Sequence, residues 1–290
     1  MPLVVTSAAG VNGDGYGALL AFAADGSPRG VFSQDARISD PRGLAFDQNE
    51  GLLFINSGAD RVLALDAKGR VVRDTGPIAG LNPGGGNFAP DGRLVVGMRT
   101  ARSIMAFATS LDQAGQRILP QGVVPFPRGF AFGANGRLFL ASGTGPDGEG
   151  DNTIRAFNPV MEQIPTWQVD DRELSPLDLT IAPSGNVVVS SERPFGAPDA
   201  VTTVREYDAS DGRLVRVLSA SGLAEFRKPR GLRFDHRGRL YCVAQDEVVA
   251  FDFTTGTCLG AVVRQPRLNG QALMFIPGDE PIGVNNGELR

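Results

Sequence analysis

The sequence predicts an all-β fold, a six-bladed β-propeller of four-stranded antiparallel blades, and three observations carry that expectation. First, the segment Pro41-Arg42-Gly43-Leu44-Ala45-Phe46 returns as Pro127-Arg128-Gly129-Phe130-Ala131-Phe132 and as Pro229-Arg230-Gly231-Leu232-Arg233-Phe234. Looser copies begin at Pro83, Pro176 and Gly270, which makes six. Second, the last apolar residues of the copies (46, 88, 132, 181, 234 and 275) are 42, 44, 49, 53 and 41 residues apart, the period of a four-stranded propeller blade. Third, 38 Gly and 20 Pro in 290 residues supply the many tight turns that short strands require.

Each element follows from local pattern. Residues 2–7 form a short strand that Gly10-Val11-Asn12-Gly13-Asp14-Gly15 breaks, Ala18 to Phe22 is the next, and Arg29 to Phe32 follows the turn at Asp25-Gly26. This first blade lacks an inner strand, and Gln271 to Ile276 at the other end is an inner strand with nothing after it. Pairing the two closes the ring and removes the sheet edges that an open array would expose. The next blade reads Leu44 to Phe46, Leu52 to Ile55, Arg61 to Leu65 and Arg70 to Asp74. Its first turn recurs as Pro90-Asp91-Gly92, Ala134-Asn135-Gly136, Pro183-Ser184-Gly185 and His236-Arg237-Gly238, where glycine supplies a positive φ. Long loops at Ser142 to Asn152 and Glu192 to Val201 account for the stretched intervals. One propeller domain over residues 1–277 and an irregular tail over 278–290 are the expected organisation.

These features, with the Asp-Gly and Asn-Gly turns and the segment Asp60-Arg61-Val62-Leu63-Ala64-Leu65-Asp66, resemble NHL-repeat propellers over nearly the whole chain. The resemblance implies architecture rather than activity, because that repeat family includes nucleic-acid and protein-binding modules as well as enzymes. A more distant resemblance runs to the gluconolactonase and senescence-marker propellers. Their lead-ins to the inner strands resemble Pro-Asn-Gly and Pro-Asp-Gly and hold a divalent metal, whereas this chain carries Arg, Gly, Leu or Gln at the same positions.

In a propeller the lead-ins and the loops between second and third strands share one face, around the mouth of the central channel. In ring order the lead-in positions are Arg42, Gly84, Arg128, Leu177, Arg230 and Gln271, so an arginine stands on every second blade. Arg42, Arg128 and Arg230, with Gln271 beside them, form the expected ligand site, since guanidinium forks suit carboxylate or phosphate. The alternative is that each arginine pairs locally or faces water. The expected function is a binding module for a small anionic molecule or an acidic segment of a partner protein. The rival from another class is a hydrolase or lactonase of the gluconolactonase-like type with an altered metal site, so whether the chain is an enzyme stays open.

For acid or base work the candidates are Asp178 and Glu192. The single histidine, His236, sits in a turn on the opposite face, which excludes it from a triad or a zinc site at the mouth. The acidic, glycine-rich loop carrying Asp147, Glu149 and Asp151 is a weak calcium candidate, lacking the downstream glutamate of an EF-hand. No cofactor is otherwise implied. A net charge of −4 and aromatics that are mostly phenylalanine at strand positions read against nucleic acid. The absence of an apolar run of membrane length, and a start without a leader pattern, place the protein in the cytoplasm, although a processed secreted form would read the same. Cys242 and Cys258 fall on strands separated by a third and are expected to be buried free thiols.

Overall fold

A computed structural model describes residues 2–11, 15–145, 148, 150–218, 220 and 226–277. The first strands are β1 (Leu3–Ser7), β2 (Ala18–Phe22) and β3 (Pro28–Ser33). The second blade is β4 (Gly43–Asp47), β5 (Leu52–Ser57), β6 (Arg61–Leu65) and β7 (Val71–Asp74). The third is β8 (Pro83–Phe88), β9 (Leu94–Met98), β10 (Ser103–Phe107) and a two-residue β11 (Gln116–Arg117). The fourth comprises β12 (Pro127–Phe132), β13 (Leu138–Ser142), β14 (Thr153–Phe157) and β15 (Gln163–Gln168). The fifth comprises β16 (Pro176–Ile181), β17 (Val187–Arg193), β18 (Val201–Tyr207) and β19 (Leu214–Leu218). The sixth is β20 (Leu232–Phe234), β21 (Leu240–Val243), β22 (Glu247–Asp252) and β23 (Thr257–Arg264), after which β24 (Leu273–Phe275) returns to the first blade.

Each of the six sheets has four strands, and the first has the order β24-β1-β2-β3, so the ring closes by joining the two ends of the chain. The register is antiparallel, Leu3 opposite Phe275 and Val5 opposite Leu273. Thr6 secures it: its hydroxyl accepts the backbone N–H groups of Gln271 and Ala272, each at 2.9 Å. The expected pairing of Val4 to Thr6 with Gln271 to Ile276 is therefore present. The expected tail from Gly278 lies outside the described residues.

The core is a ring of six apolar clusters, one at each interface between neighbouring blades. Middle strands such as β5 and β9 are buried along their whole length because both faces of each blade meet another blade. Outer strands alternate with solvent. Glycines in the turns between third and outer strands let blades approach: a Cβ on Gly69 would lie 1.8 Å from the Phe32 carbonyl oxygen, and one on Gly26 1.6 Å from that of Val262. Both have positive φ as well, so both requirements select glycine.

The free cysteines sit on β21 and β23 with β22 between them. Cys242 is buried as expected; Cys258 is only half-buried, because alternate residues of the outer strand face solvent.

Candidate ligand site at the channel mouth

Three lead-ins carry a local irregularity where the site residues stand. The pairing register shifts between Pro83 and Gly86, between Pro127 and Phe130, and between Pro176 and Leu179. A bulge of this kind re-aims side chains, and of the residues within the three shifts Gly85, Arg128, Gly129, Leu177 and Asp178 line the recess. The Arg230 lead-in is fixed from two sides: its N–H donates to the Val243 carbonyl (2.7 Å), and its carbonyl accepts the Ser190 hydroxyl (2.7 Å).

Arg42, Arg128, Arg230 and Gln271 line one recess at the mouth, together with Asp178, Arg99 and Arg233. Its volume, about 30 Å³, has room for two or three water-sized groups. The arginines in it are not equivalent. Arg42 donates to Asp40 (2.6 Å) and to the side-chain oxygen of Asn82. Arg230 pairs with the buried Glu192 at 3.2 Å. Arg233 pairs with Asp178 at 3.3 Å and also reaches the carbonyl of Leu44 on the second blade (3.2 Å), so it ties the fifth, sixth and second blades together at the recess.

Arg128 and Arg99 are different. Among the described residues neither has a carboxylate partner, and the Nε of each is buried without a hydrogen-bond acceptor. Buried nitrogens of Arg61 and Arg155 also lack an acceptor, but those side chains are neutralised by Asp74 and Asp151. Arg128 is 8% exposed; it donates one Nη to the Thr144 carbonyl and lies between the rings of Phe126 and Phe195, 4.7 Å from each centroid. Phe195 also lies 5.6 Å from the Arg230 guanidinium, so the β17–β18 connection leans over the mouth. The stem of Arg128 rests on Gly143, where a Cβ would approach its Cγ to 2.9 Å.

The electrostatics follow from burial and crowding. Burial, then the charges of Arg128 and Arg42, push the Arg99 guanidinium well below its ordinary value, with Asp40 opposing. Burial, with Arg230 and Arg42, pushes Arg128 down to about 9, and Glu192 opposes. Burial lowers Arg230 too, but there Glu192 compensates directly. Guanidinium keeps its proton at neutral pH, so these directions measure the cost of holding positive charge at the mouth.

Asp178 takes the place that glycine or alanine occupies in all five other lead-ins (Gly43, Gly85, Gly129, Gly231 and Ala272). Its Oδ2 accepts the N–H of Leu232 (3.1 Å), and burial raises its carboxyl above the ordinary value against the pull of Arg233. Gly129 makes room for it, since a Cβ there would lie 1.9 Å from Asp178 Oδ1. Both carboxyls suited to acid or base work, Asp178 and Glu192, are thus held in ion pairs with arginines.

A divalent metal at the mouth does not fit this residue set, which offers uncompensated guanidiniums and an acid already bonded to a cation. Among the described residues, no group of three or more His, Cys, Asp or Glu side chains is placed to hold a metal. Of the calcium candidates, Asp147 and Glu149 lie outside the described residues, and Asp151 is ion-paired with Arg155. His236 is exposed in the β20–β21 turn, at the end of the inner strand opposite the mouth. Among the described residues no helix is long and apolar enough to cross a membrane.

Two members of the site come from less obvious places. Arg99 lies in the β9–β10 turn, and it reaches the recess over Gly84, whose missing side chain leaves its Cβ position 3.5 Å from Arg99 Nε. The sequence signals for that access are its place in a loop between second and third strands and the run Gly84-Gly85-Gly86. Arg233 occupies the variable position before Phe234, where three of the other five inner strands have Ala45, Ala131 and Met274.

No sequence-family model matches the chain, and no curated protein sequence does. Solved structures do. A chain of a nidogen/laminin complex shares 13% identity at a TM-score of 0.72, covering 94% of this chain and 96% of that one. A streptogramin B lyase shares 15% identity at a TM-score of 0.62, with 83% and 74% covered. A gluconolactonase from Xanthomonas campestris shares 17% at a TM-score of 0.61, with 78% and 76% covered. At such identities the likeness is one of fold, shared by proteins with different activities. The chain is a closed six-bladed β-propeller, similar in architecture to binding propellers and to gluconolactonase-like proteins alike.

Proposed function

We propose that this propeller is a binding module whose channel mouth takes a small anionic molecule, or an acidic segment of a partner protein, through Arg42, Arg128 and Arg230 with Arg99 beside them. The observation that supports this reading is the pair Arg99 and Arg128, one half-buried and one buried, with no acidic partner among the described residues and each with a buried Nε that bonds to nothing. A fold does not hold such charge for its own stability, because a buried cation without a partner is costly. An anion from outside supplies the missing acceptors. Phe126 and Phe195 hold Arg128 in place beforehand, which lowers the ordering cost of binding. The likeness to a propeller from a nidogen/laminin complex suits a protein partner presenting that anion as a carboxylate-rich segment.

The test is calorimetric titration of the purified chain with acetate, sulfate and a short acidic peptide at constant ionic strength. Arg128→Gln is expected to weaken the best of these about 10- to 150-fold, equivalent to about 1.5–3 kcal/mol for a hydrogen bond to a charged group. Arg42→Gln and Arg230→Gln should weaken it less, since Asp40 and Glu192 already engage those side chains. Binding that is absent for all three probes, or unchanged in Arg128→Gln, would sink the proposal.

A further inference from the structure

We infer that the group this mouth is built to hold is a compact dianion, the head of a phosphate monoester, with the Arg99 and Arg128 guanidiniums as its two counter-charges. This rests on the anion-binding reading above and narrows it. The argument is a charge balance followed by a size limit.

The charged groups at the recess come from five blades: Arg42 before β4, Arg99 in the β9–β10 turn, Arg128 on β12, Asp178 on β16, and Arg230 and Arg233 around β20 line it, and Asp40 and Glu192 stand behind Arg42 and Arg230. Three arginines have acids within 3.3 Å: Arg42 with Asp40, Arg230 with Glu192, and Arg233 with Asp178. Two positive charges are left, on Arg99 and Arg128, and both show an unpartnered Nε. A monoanion leaves one of them uncompensated in a crowded, partly dehydrated mouth; a dianion neutralises both.

Size then selects among dianions. The recess has about 30 Å³ of room, enough for one compact head. A dicarboxylate spreads its charges over two heads separated by carbon. A phosphoryl group carries both on one tetrahedral centre with three acceptor oxygens, which suits guanidinium edges approaching from two blades. The remainder of the ligand lies outside the recess, on the side of Phe195.

The experiment compares methyl phosphate, a dianion at pH 8, with dimethyl phosphate, a monoanion of nearly the same shape, and with acetate, all at one ionic strength set with chloride. On the full chain, methyl phosphate should bind at least tenfold tighter than dimethyl phosphate. In Arg99→Gln the two should come within about twofold, with dimethyl phosphate little changed; Arg99→Met serves as a second variant should that one fold poorly. The wild-type comparison needs no variant.

If methyl phosphate, dimethyl phosphate and acetate bind alike and all are weakened by Arg128→Gln, the mouth is a general anion site and the dianion inference falls alone. If a preference for methyl phosphate survives both Arg99 variants, the assignment of the second charge to Arg99 is wrong. If none of the three binds beyond the chloride control, the dianion inference falls together with the proposed function.

Discussion

Arg99 shows how a single residue joins cost to use. Its guanidinium is held against Arg128 and Arg42 with no acid bonded to it among the described residues, an arrangement that packing alone would not favour. Replacing it with Met keeps the length and apolar stem while removing the charge and the orphan donor. Arg99→Met should therefore stabilise the fold, by about 1 kcal/mol, the low end for relieving an unsatisfied buried group because the side chain is partly exposed. Thermal unfolding checks this, and an unchanged or lowered Tm would mean that the charge has a partner or serves packing. How much of the site the sequence disclosed is decided at this same scale. Arg42, Arg128 and Arg230 could be read directly because one repeated segment carries them. The partner of Arg42 also stands two residues away at Asp40, but the partner of Arg230 is Glu192, from the neighbouring blade. Arg99 could be assigned to the mouth face, as part of a loop between second and third strands, but its reach into the recess could not be read, because that depends on side chains that Gly84, Gly85 and Gly86 lack. Spacing along one chain records which residues share a strand; it does not record which turn of the next blade leans over them.

At the scale of the element, the hairpin turns and the blade contacts each make a prediction. Asp66 and Asp235 begin turns in which the carboxylate accepts two backbone N–H groups, those of Lys68 and Arg70, and of Arg237 and Arg239. Burial works against both charges, but the bonds from Arg70 and Arg239 outweigh it and leave both carboxyls below the ordinary value of 3.8. A lowered folded pKa contributes stability that is complete above the unfolded value and lost as pH falls through the folded one. The stability gap between wild type and Asp235→Asn should thus be full at neutral pH, narrow as the pH falls past 3.8 and vanish at lower pH; a gap that widens in acid contradicts the assignment. The blade contact is tested by glycine. Gly69→Ala combines a positive φ with a Cβ set 1.8 Å from the Phe32 carbonyl oxygen, whereas Gly51→Ala at a similar φ meets nothing within 4 Å. The first should cost about 2–4 kcal/mol and the second only about 1 kcal/mol, the strain of the left-handed backbone. Equal losses on denaturation would show that φ alone selects glycine in these turns. The strands and turns were legible because each is set by neighbours within ten residues; the short β11 and the half-exposed Cys258 were not, because outer strands are defined by what they leave uncovered.

The whole molecule depends on its closure. β24 is only three residues long, yet it is the inner strand of the first blade, and the residues around it complete two interfaces: Leu268 and Leu273 belong to the cluster against the sixth blade, and Ala272 and Ile276 to the cluster against the second. Removing residues 268–290 would open both interfaces and leave β1 as an unpaired inner edge. Fully burying a leucine contributes about 1.5–3 kcal/mol, so the loss of Leu268 and Leu273 alone is a large share of the about 5–15 kcal/mol that keeps a domain folded. The N–H groups that Thr6 accepts tie this closure to the mouth, since Gln271 and Ala272 both line the recess. The truncated chain should melt at a much lower temperature than the full chain, and what remains folded should lose anion binding. Thr6→Val separates the two effects: it keeps the strand but leaves the N–H groups of Gln271 and Ala272 without their acceptor, at about 1–3 kcal/mol for a buried unsatisfied donor. It should lower stability by that amount while retaining the ring. A truncation that melts like the full chain would show that the five complete blades fold without closure, and the ring would then be a consequence of stability rather than its source.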